Sequence, residues 1–87
     1  MKDKFKKSVD KLRDQVNKID DSKSEVKAEM NELINDLEHQ MEHPEDNEKL
    51  EELNQKVPGL ITKFEMEHPK LAETLNELMV ILSNMGI

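Results

Sequence analysis

Apolar residues recur every three or four positions in four successive segments of the chain, and this spacing restricts the fold more than any other feature. In the first segment they are Phe5, Val9, Leu12, Val16 and Ile19. Such spacing places side chains on one face of an α-helix, whereas a half-buried strand requires alternation at every second position. No segment alternates in that way. The sequence therefore predicts an all-α fold without a sheet.

Three further segments keep the same period. Their apolar residues are Val26, Met30, Leu33 and Leu37, then Leu50, Leu53, Val57, Leu60 and Phe64, then Leu71, Leu75, Leu78, Leu82 and Met85. A content of 38% charged and 2% aromatic residues occurs both in long-helix proteins and in disordered chains. Disorder does not produce one period in four segments, so we predict a folded helical domain.

The connections between these segments are short, and short connections require neighbouring helices to run antiparallel. We predict a single domain over residues 1–87, with helices at about 3–19, 23–42, 46–67 and 69–85. The expected architecture is an antiparallel up-down bundle of four helices. Because a core of this size is small, the bundle is either complete in one chain or completed by dimerisation.

The tetrapeptide Met-Glu-His-Pro occurs at residues 41–44 and again at residues 66–69, and it is interpreted as a helix junction. Proline disfavours helical geometry in the residue before it, so each histidine marks a helix boundary. Pro69 is expected as the first residue of the fourth helix, where its missing N–H costs nothing. Pro44 or Asn47 is expected to open the third helix, which follows the first copy.

Other helix boundaries are predicted from capping residues. Ser22, with Glu25 three residues later, predicts a capping box at the start of the second helix. Gly86 is expected to cap the end of the fourth helix. Pro58 interrupts the third segment and removes one helical hydrogen bond. Because the apolar period keeps its phase across that position, we predict one helix kinked at Pro58 rather than two short helices.

The fourth helix contains a run of five apolar residues, 78–82. On the helical period, Val80 and Ile81 are predicted to point away from the apolar stripe. A helix that is apolar on several sides is usually buried on more than one of them. We therefore expect a homodimer, with Leu78, Val80, Ile81 and Met85 as candidate interface residues, and an unidentified protein partner as a further option.

Two histidines form the strongest candidate for metal binding. His39 and His43 are four residues apart on the second helix, a spacing that places both imidazoles on one face. Gln40 stands where helical zinc motifs carry a glutamate, and a histidine near a helix end is favoured by the helix dipole alone. We predict no metal, no cofactor-binding residue, no catalytic residue and no enzyme activity, with metal binding through this pair as an alternative.

The chain carries a net charge of −7, which is unevenly distributed. Residues 1–19 have a net charge of +4 and residues 20–54 a net charge of −10. The acidic body disfavours nucleic-acid binding, and the two regions are expected to attract each other within or between chains. Contact of the basic first helix with a membrane surface or nucleic acid is the alternative. No apolar run reaches the length of a membrane span, so a cytoplasmic location is expected.

The end of the chain reads Phe64-Glu65, then His68-Pro69, then an amphipathic helix that closes on Met-Gly-Ile at residues 85–87. This pattern, over residues 63–87, resembles the ending of a bacterial domain-of-unknown-function family, number 4404. The resemblance implies a small helical bacterial protein without an established activity, and it transfers no catalytic residue. The function is predicted to be protein–protein interaction or a structural role.

Overall fold

The computed structural model describes residues 2–85 and contains four long α-helices joined by short connections. They are α1 (Lys2–Asn17), α2 (Ser24–Glu42), α3 (Asn47–Phe64) and α4 (Pro69–Met85). A short 3₁₀ turn, Asp21–Lys23, precedes α2. No strand occurs within residues 2–85. The predicted all-α fold is confirmed.

The helices form a closed ring in which each packs against its two neighbours. α1 packs against α2 and α4, and α3 packs against α2 and α4, whereas the backbones of the diagonal pairs stay more than 8 Å apart in the described part of the chain. The bundle measures 37 × 21 × 19 Å. The antiparallel four-helix bundle is therefore completed within one chain.

The core consists of the predicted apolar stripes. Several of its side chains are completely buried, with one or more from every helix: Val9, Leu12, Met30, Leu33, Leu37, Leu53, Val57, Leu75, Leu78 and Leu82. Burial of one leucine or isoleucine side chain stabilises the folded state by about 1.5–3 kcal/mol. The four helices thus bury each other's apolar faces without a second chain.

Two helices end earlier than predicted. α1 ends at Asn17 rather than at residue 19, because the N–H groups of Lys18 and Ile19 bond to carbonyl groups only three residues back. Such bonds tighten the last turn and end the α-helical pattern. α3 ends at Phe64 rather than at residue 67, and the N–H of His68 donates to the Phe64 carbonyl at 2.8 Å.

The capping box predicted from Ser22 and Glu25 is wrong. Asp20 is the capping residue, and its side chain accepts a hydrogen bond from the Ser22 N–H at 3.0 Å. This bond lowers the pKa of the Asp20 carboxyl. Because the 3₁₀ turn lies between Asp20 and Ser24, α2 begins beyond the reach of the proposed box, and Lys23 precedes it without a side-chain cap.

α3 runs through Pro58 as one helix, so the predicted continuity of the third helix is confirmed. Both Pro58 and the following Gly59 are solvent-exposed, so the ring and the missing hydrogen bond lie on the outer face of the bundle. Pro69 is the first residue of α4, as predicted. The predicted cap at Gly86 lies outside the described residues. None of the described helices combines the length and apolar character that crossing a membrane requires.

Candidate functional site

The two histidines proposed as metal ligands lie at the junction between α2 and α3. The rings of His39 and His43 are adjacent, with centroids 4.8 Å apart, as expected for residues four apart on a helix. His39 Nε2 lies 2.9 Å from an oxygen of Asp46, and His43 Nδ1 lies 3.4 Å from an oxygen of Glu45. Each imidazole therefore already has a carboxylate neighbour from the connection that follows α2.

Asp46 links this histidine pair to the start of α3. It is the N-terminal cap of that helix, and its second carboxylate oxygen accepts a hydrogen bond from the Lys49 N–H at 3.1 Å. The hydrogen bond with His39, followed by the one from Lys49, lowers the pKa of the Asp46 carboxyl. The His39–Asp46 contact thus ties the last turn of α2 to the first turn of α3.

This geometry favours a structural role for the histidine pair. Within residues 2–85 no group of three or more His, Cys, Asp or Glu side chains is arranged to hold a metal ion. Both carboxylate oxygens of Asp46 are already engaged, one by His39 and the other by the Lys49 N–H. The pair brings two imidazoles together, and within residues 2–85 no third side chain is placed to complete a metal site with them.

His68 lies at the junction between α3 and α4. Its carbonyl accepts the N–H of Ala72 at 3.0 Å, which makes it the residue that precedes the first turn of α4. Its ring meets that of Phe64 edge-on, with centroids 6.2 Å apart. Its Nε2 is buried and has no hydrogen-bond partner among the described residues. The predicted junction role fits this position.

The four candidate interface residues on α4 have different environments. Leu78 is completely buried, and Ile81 is buried as well, so both belong to the chain's own core. The prediction that Ile81 points away from the core is wrong, because α4 packs against both α1 and α3 and therefore buries a wider arc than one stripe. Met85 is partly buried, and Val80 is 51% exposed. Val80 is the candidate that the fold leaves most available to a partner.

Val80 lies in a shallow furrow between α1 and α4. Two adjoining hollows, of about 220 and 160 Å³, share Lys4, Val80 and Ile81 among their lining residues. Ser8 of α1 and Glu77 of α4 line the larger hollow. We call this surface the α1–α4 furrow. An apolar centre at Val80 with a charged residue of each sign, Lys4 and Glu77, beside it is typical of a protein–protein contact.

The basic start of the chain does not present an apolar face to solvent. Phe5 and Val9, which an amphipathic membrane-surface helix would insert into lipid, are buried in the bundle. Lys11 pairs with Glu77 of α4 at 3.5 Å, and Arg13 pairs with Glu38 of α2. The positive charge of α1 is thus partly matched by neighbouring acidic side chains.

Acidic residues of α2 are matched in the same way by α3. Asp36 lies 3.4 Å from the Lys49 ammonium and 3.5 Å from that of Lys56, and Glu29 lies 3.0 Å from that of Lys63. Contact with Glu52, followed by the attraction of Asp36, raises the pKa of Lys49. These pairs join α2 to α3, whereas Arg13–Glu38 is the named pair that joins residues 1–19 to residues 20–54. Exposed pairs contribute only about 0–1 kcal/mol each.

The burial of Gln40 in the core was not predicted from the sequence. Its side chain is completely buried, and neither the amide nitrogen nor the amide oxygen has a hydrogen-bond partner among residues 2–85. A signal was present, because Met30, Leu33, Leu37 and Gln40 are spaced 3, 4 and 3 apart. Gln40 is thus the next position on the apolar stripe of α2, and that position faces the core.

No curated protein and no solved structure shows significant similarity to the chain. The sequence pattern of the family described as "Domain of unknown function (DUF4404)" matches residues 5–87. The resemblance predicted from residues 63–87 is confirmed and extends through all four helices. The chain belongs to the DUF4404 family of domains of unknown function.

Proposed function

We propose that this chain is a non-enzymatic protein-interaction module of the bacterial cytoplasm that forms a homodimer through the α1–α4 furrow. The observation that carries the proposal is the exposure of Val80 in the middle of that furrow. Among the described residues, the large apolar side chains that remain exposed are Met66 and Val80. Met66 stands in the connection before α4, whereas Val80 lies on a rigid helix beside partly apolar hollows.

The charges around Val80 support a self-complementary contact. Lys4 on α1 and Glu77 on α4 line the same hollow as Val80. In a two-fold dimer each surface patch meets its own copy, so a cation and an anion on opposite sides of the axis approach each other across the interface. Burial of Val80 at the axis then supplies the apolar centre, and the two ion pairs fix the orientation.

Sedimentation velocity over a range of protein concentrations, together with light scattering, tests the dimer. The expected result is a reversible monomer–dimer equilibrium that Val80→Asp shifts towards monomer by about tenfold or more in Kd. Met66→Asp is the matched control, since it removes the other exposed apolar side chain and adds the same charge. It is expected to leave the equilibrium unchanged.

A charge-exchange experiment distinguishes loss of the interface from unfolding of the variant. Lys4→Glu is expected to weaken the dimer, and the double variant Lys4→Glu with Glu77→Lys is expected to restore it. Circular dichroism verifies that every variant remains helical. A wild-type protein that stays monomeric at the highest concentration, or a dimer that Val80→Asp and Met66→Asp affect equally, refutes this assignment.

A further inference from the structure

The exposed face of the second half of α4 is nearly uncharged. From position 76 to the end of the described chain, its exposed residues are Asn76, Glu77, Val80, Ser83 and Asn84, and Glu77 alone among these is charged. On α1, by contrast, every exposed residue between positions 3 and 14 is charged. Depletion of charged residues is a property of the central part of protein–protein interfaces. The face of α4 around Val80 therefore has the composition of an interface rather than that of a solvated helix.

Two asparagines flank Val80 symmetrically on this face. Asn76 precedes Val80 by four residues, Asn84 follows it by four, and all three side chains are exposed. At 1.5 Å per residue, each asparagine lies about 6 Å from Val80 along the helix and on nearly the same side of it. An asparagine amide both donates and accepts hydrogen bonds, so two of them can pair with each other. A two-fold axis beside Val80 therefore brings asparagine opposite asparagine on both sides of the axis.

The positions of Lys4 and Glu77 along the bundle follow from the ion pair between α1 and α4. Lys11 Nζ lies 3.5 Å from a carboxylate oxygen of Glu77, so these two residues are at nearly the same level of the bundle. Lys4 precedes Lys11 by seven residues, which is about 10.5 Å at 1.5 Å per residue. Because α1 and α4 run antiparallel, Lys4 lies level with Asn84, and both line one hollow of the furrow. Lys4 and Glu77 thus lie on opposite sides of Val80 along the furrow.

These levels distinguish the two orientations in which the α4 helices of two copies can meet at Val80. In the antiparallel orientation, a residue four positions after Val80 faces one four positions before it, so Lys4 comes within about 1.5 Å, one residue, of the level of the partner's Glu77. In the parallel orientation each residue faces its own level, and Lys4 is separated from the partner's Glu77 by about 10.5 Å along the helix. The antiparallel orientation therefore brings the opposite charges together, and the parallel orientation keeps them apart.

We propose that the α4 helices of two copies pack antiparallel about a two-fold axis at Val80, so that Asn76 of each copy pairs with the partner's Asn84. This inference rests on the proposed homodimer and adds its orientation and the residues that fix its register. Val80 packs against the partner's Val80, an asparagine pair lies on each side, and the ion pairs of Lys4 with the partner's Glu77 lie beside them. A shift of the pairing by four residues would place Val80 opposite an asparagine and remove the apolar centre.

Disulfide cross-linking of single-cysteine variants tests the orientation, because the chain itself contains no cysteine. A disulfide requires Cα atoms about 4.4–6.8 Å apart. In the antiparallel dimer the two copies of position 76 are about 12 Å apart along the helix, whereas position 76 faces position 84 of the partner. Asn76→Cys and Asn84→Cys are each expected to stay unlinked alone. Their equimolar mixture in a glutathione redox buffer is expected to give about tenfold or more linked dimer than either variant.

Two further variants and sedimentation velocity separate the orientation from the dimer itself. Val80→Cys is expected to link to itself in either orientation, and Met66→Cys, at the other exposed apolar position, measures linkage by random collision. Asn76→Cys that links to itself as efficiently as the mixture indicates a parallel dimer, which overturns this inference and leaves the dimer intact. A mixture that links no better than Met66→Cys, although the protein sediments as a dimer, places the interface elsewhere and overturns it as well. A protein that sediments as a monomer refutes the dimer and, with it, the orientation.

Discussion

Replacement of Gln40 by methionine is expected to stabilise the protein. Gln40 is completely buried, and both polar atoms of its side chain lack a hydrogen-bond partner in the described part of the chain. Methionine has nearly the same length and shape and carries no group that must be desolvated. It also adapts readily to irregular space in a core. The substitution thus removes a cost without creating a cavity.

The size of the effect follows from the desolvation of the amide. A buried polar group without a partner costs about 1–3 kcal/mol, and replacement by an apolar group of the same shape recovers that amount. For a chain of this length, 1 kcal/mol changes the melting temperature by about 4–8 °C. Gln40→Met is therefore expected to raise the free energy of unfolding by about 1–3 kcal/mol and the melting temperature accordingly.

Urea denaturation followed by circular dichroism measures this change. Gln55→Met is the matched control, because Gln55 is exposed on α3 and the same substitution there is expected to change stability by less than about 0.5 kcal/mol. A loss of stability in Gln40→Met would show that the amide is hydrogen-bonded in the native protein. Equal changes at both positions would attribute the effect to helix propensity. Either result refutes the reasoning from burial.

Three other substitutions test separate parts of the fold. Gly59→Ala is expected to stabilise by about 0.5–1 kcal/mol in urea denaturation, because an added Cβ meets no atom within 4 Å and the backbone is helical; destabilisation would contradict this. Leu53→Ala, in the completely buried part of α3, is expected to cost about 2–5 kcal/mol, and a change below about 1 kcal/mol would contradict the core assignment. The lowered pKa of Asp46 stabilises the fold above the unfolded-state pKa, and this contribution is lost as the pH falls below about 4 and through the folded-state pKa. Asp46→Asn retains a capping side chain but cannot titrate, so its stability is expected to fall less steeply with acid in pH-dependent melting; an unchanged acid slope would contradict the role of the carboxylate.

The fold was predictable because the apolar period is a local property that the bundle preserves. Leu12, Leu33, Leu53 and Leu75 each lie on a predicted stripe, and each is completely buried. Two polar exceptions were not predicted. Gln40 and Thr74 are completely buried as well, and hydrophobicity alone assigns them to the surface. Thr74 satisfies its hydroxyl by donating to the Lys70 carbonyl at 3.2 Å, whereas Gln40 has no such local acceptor.

The candidate sites were less predictable, because they depend on which helices become neighbours. Ile81 was predicted to contact a partner chain because α4 was assumed to bury only one narrow apolar stripe. In the structure α4 packs against both α1 and α3, and Ile81 is buried. Gln15 and His68 are far apart in the sequence, and they line one open hollow only because α1 packs against α4. Helical periodicity predicts which face of a helix is buried. It does not predict which helix ends lie side by side and form a surface hollow.

The repeated Met-Glu-His-Pro shows how the following residues determine the structure of an identical segment. In the first copy, Met41 still belongs to α2 and is partly buried, and three residues separate His43 from the start of α3. In the second copy, Met66 is 91% exposed in the connection, and α4 starts at the proline itself. Asp46 lies two residues after the first proline, and its side chain caps α3, which therefore starts three residues after the proline, at Asn47. The second proline is followed by Lys-Leu-Ala, which provides no competing cap and joins the apolar stripe at once. The same four residues therefore end one helix in the first copy and begin another in the second.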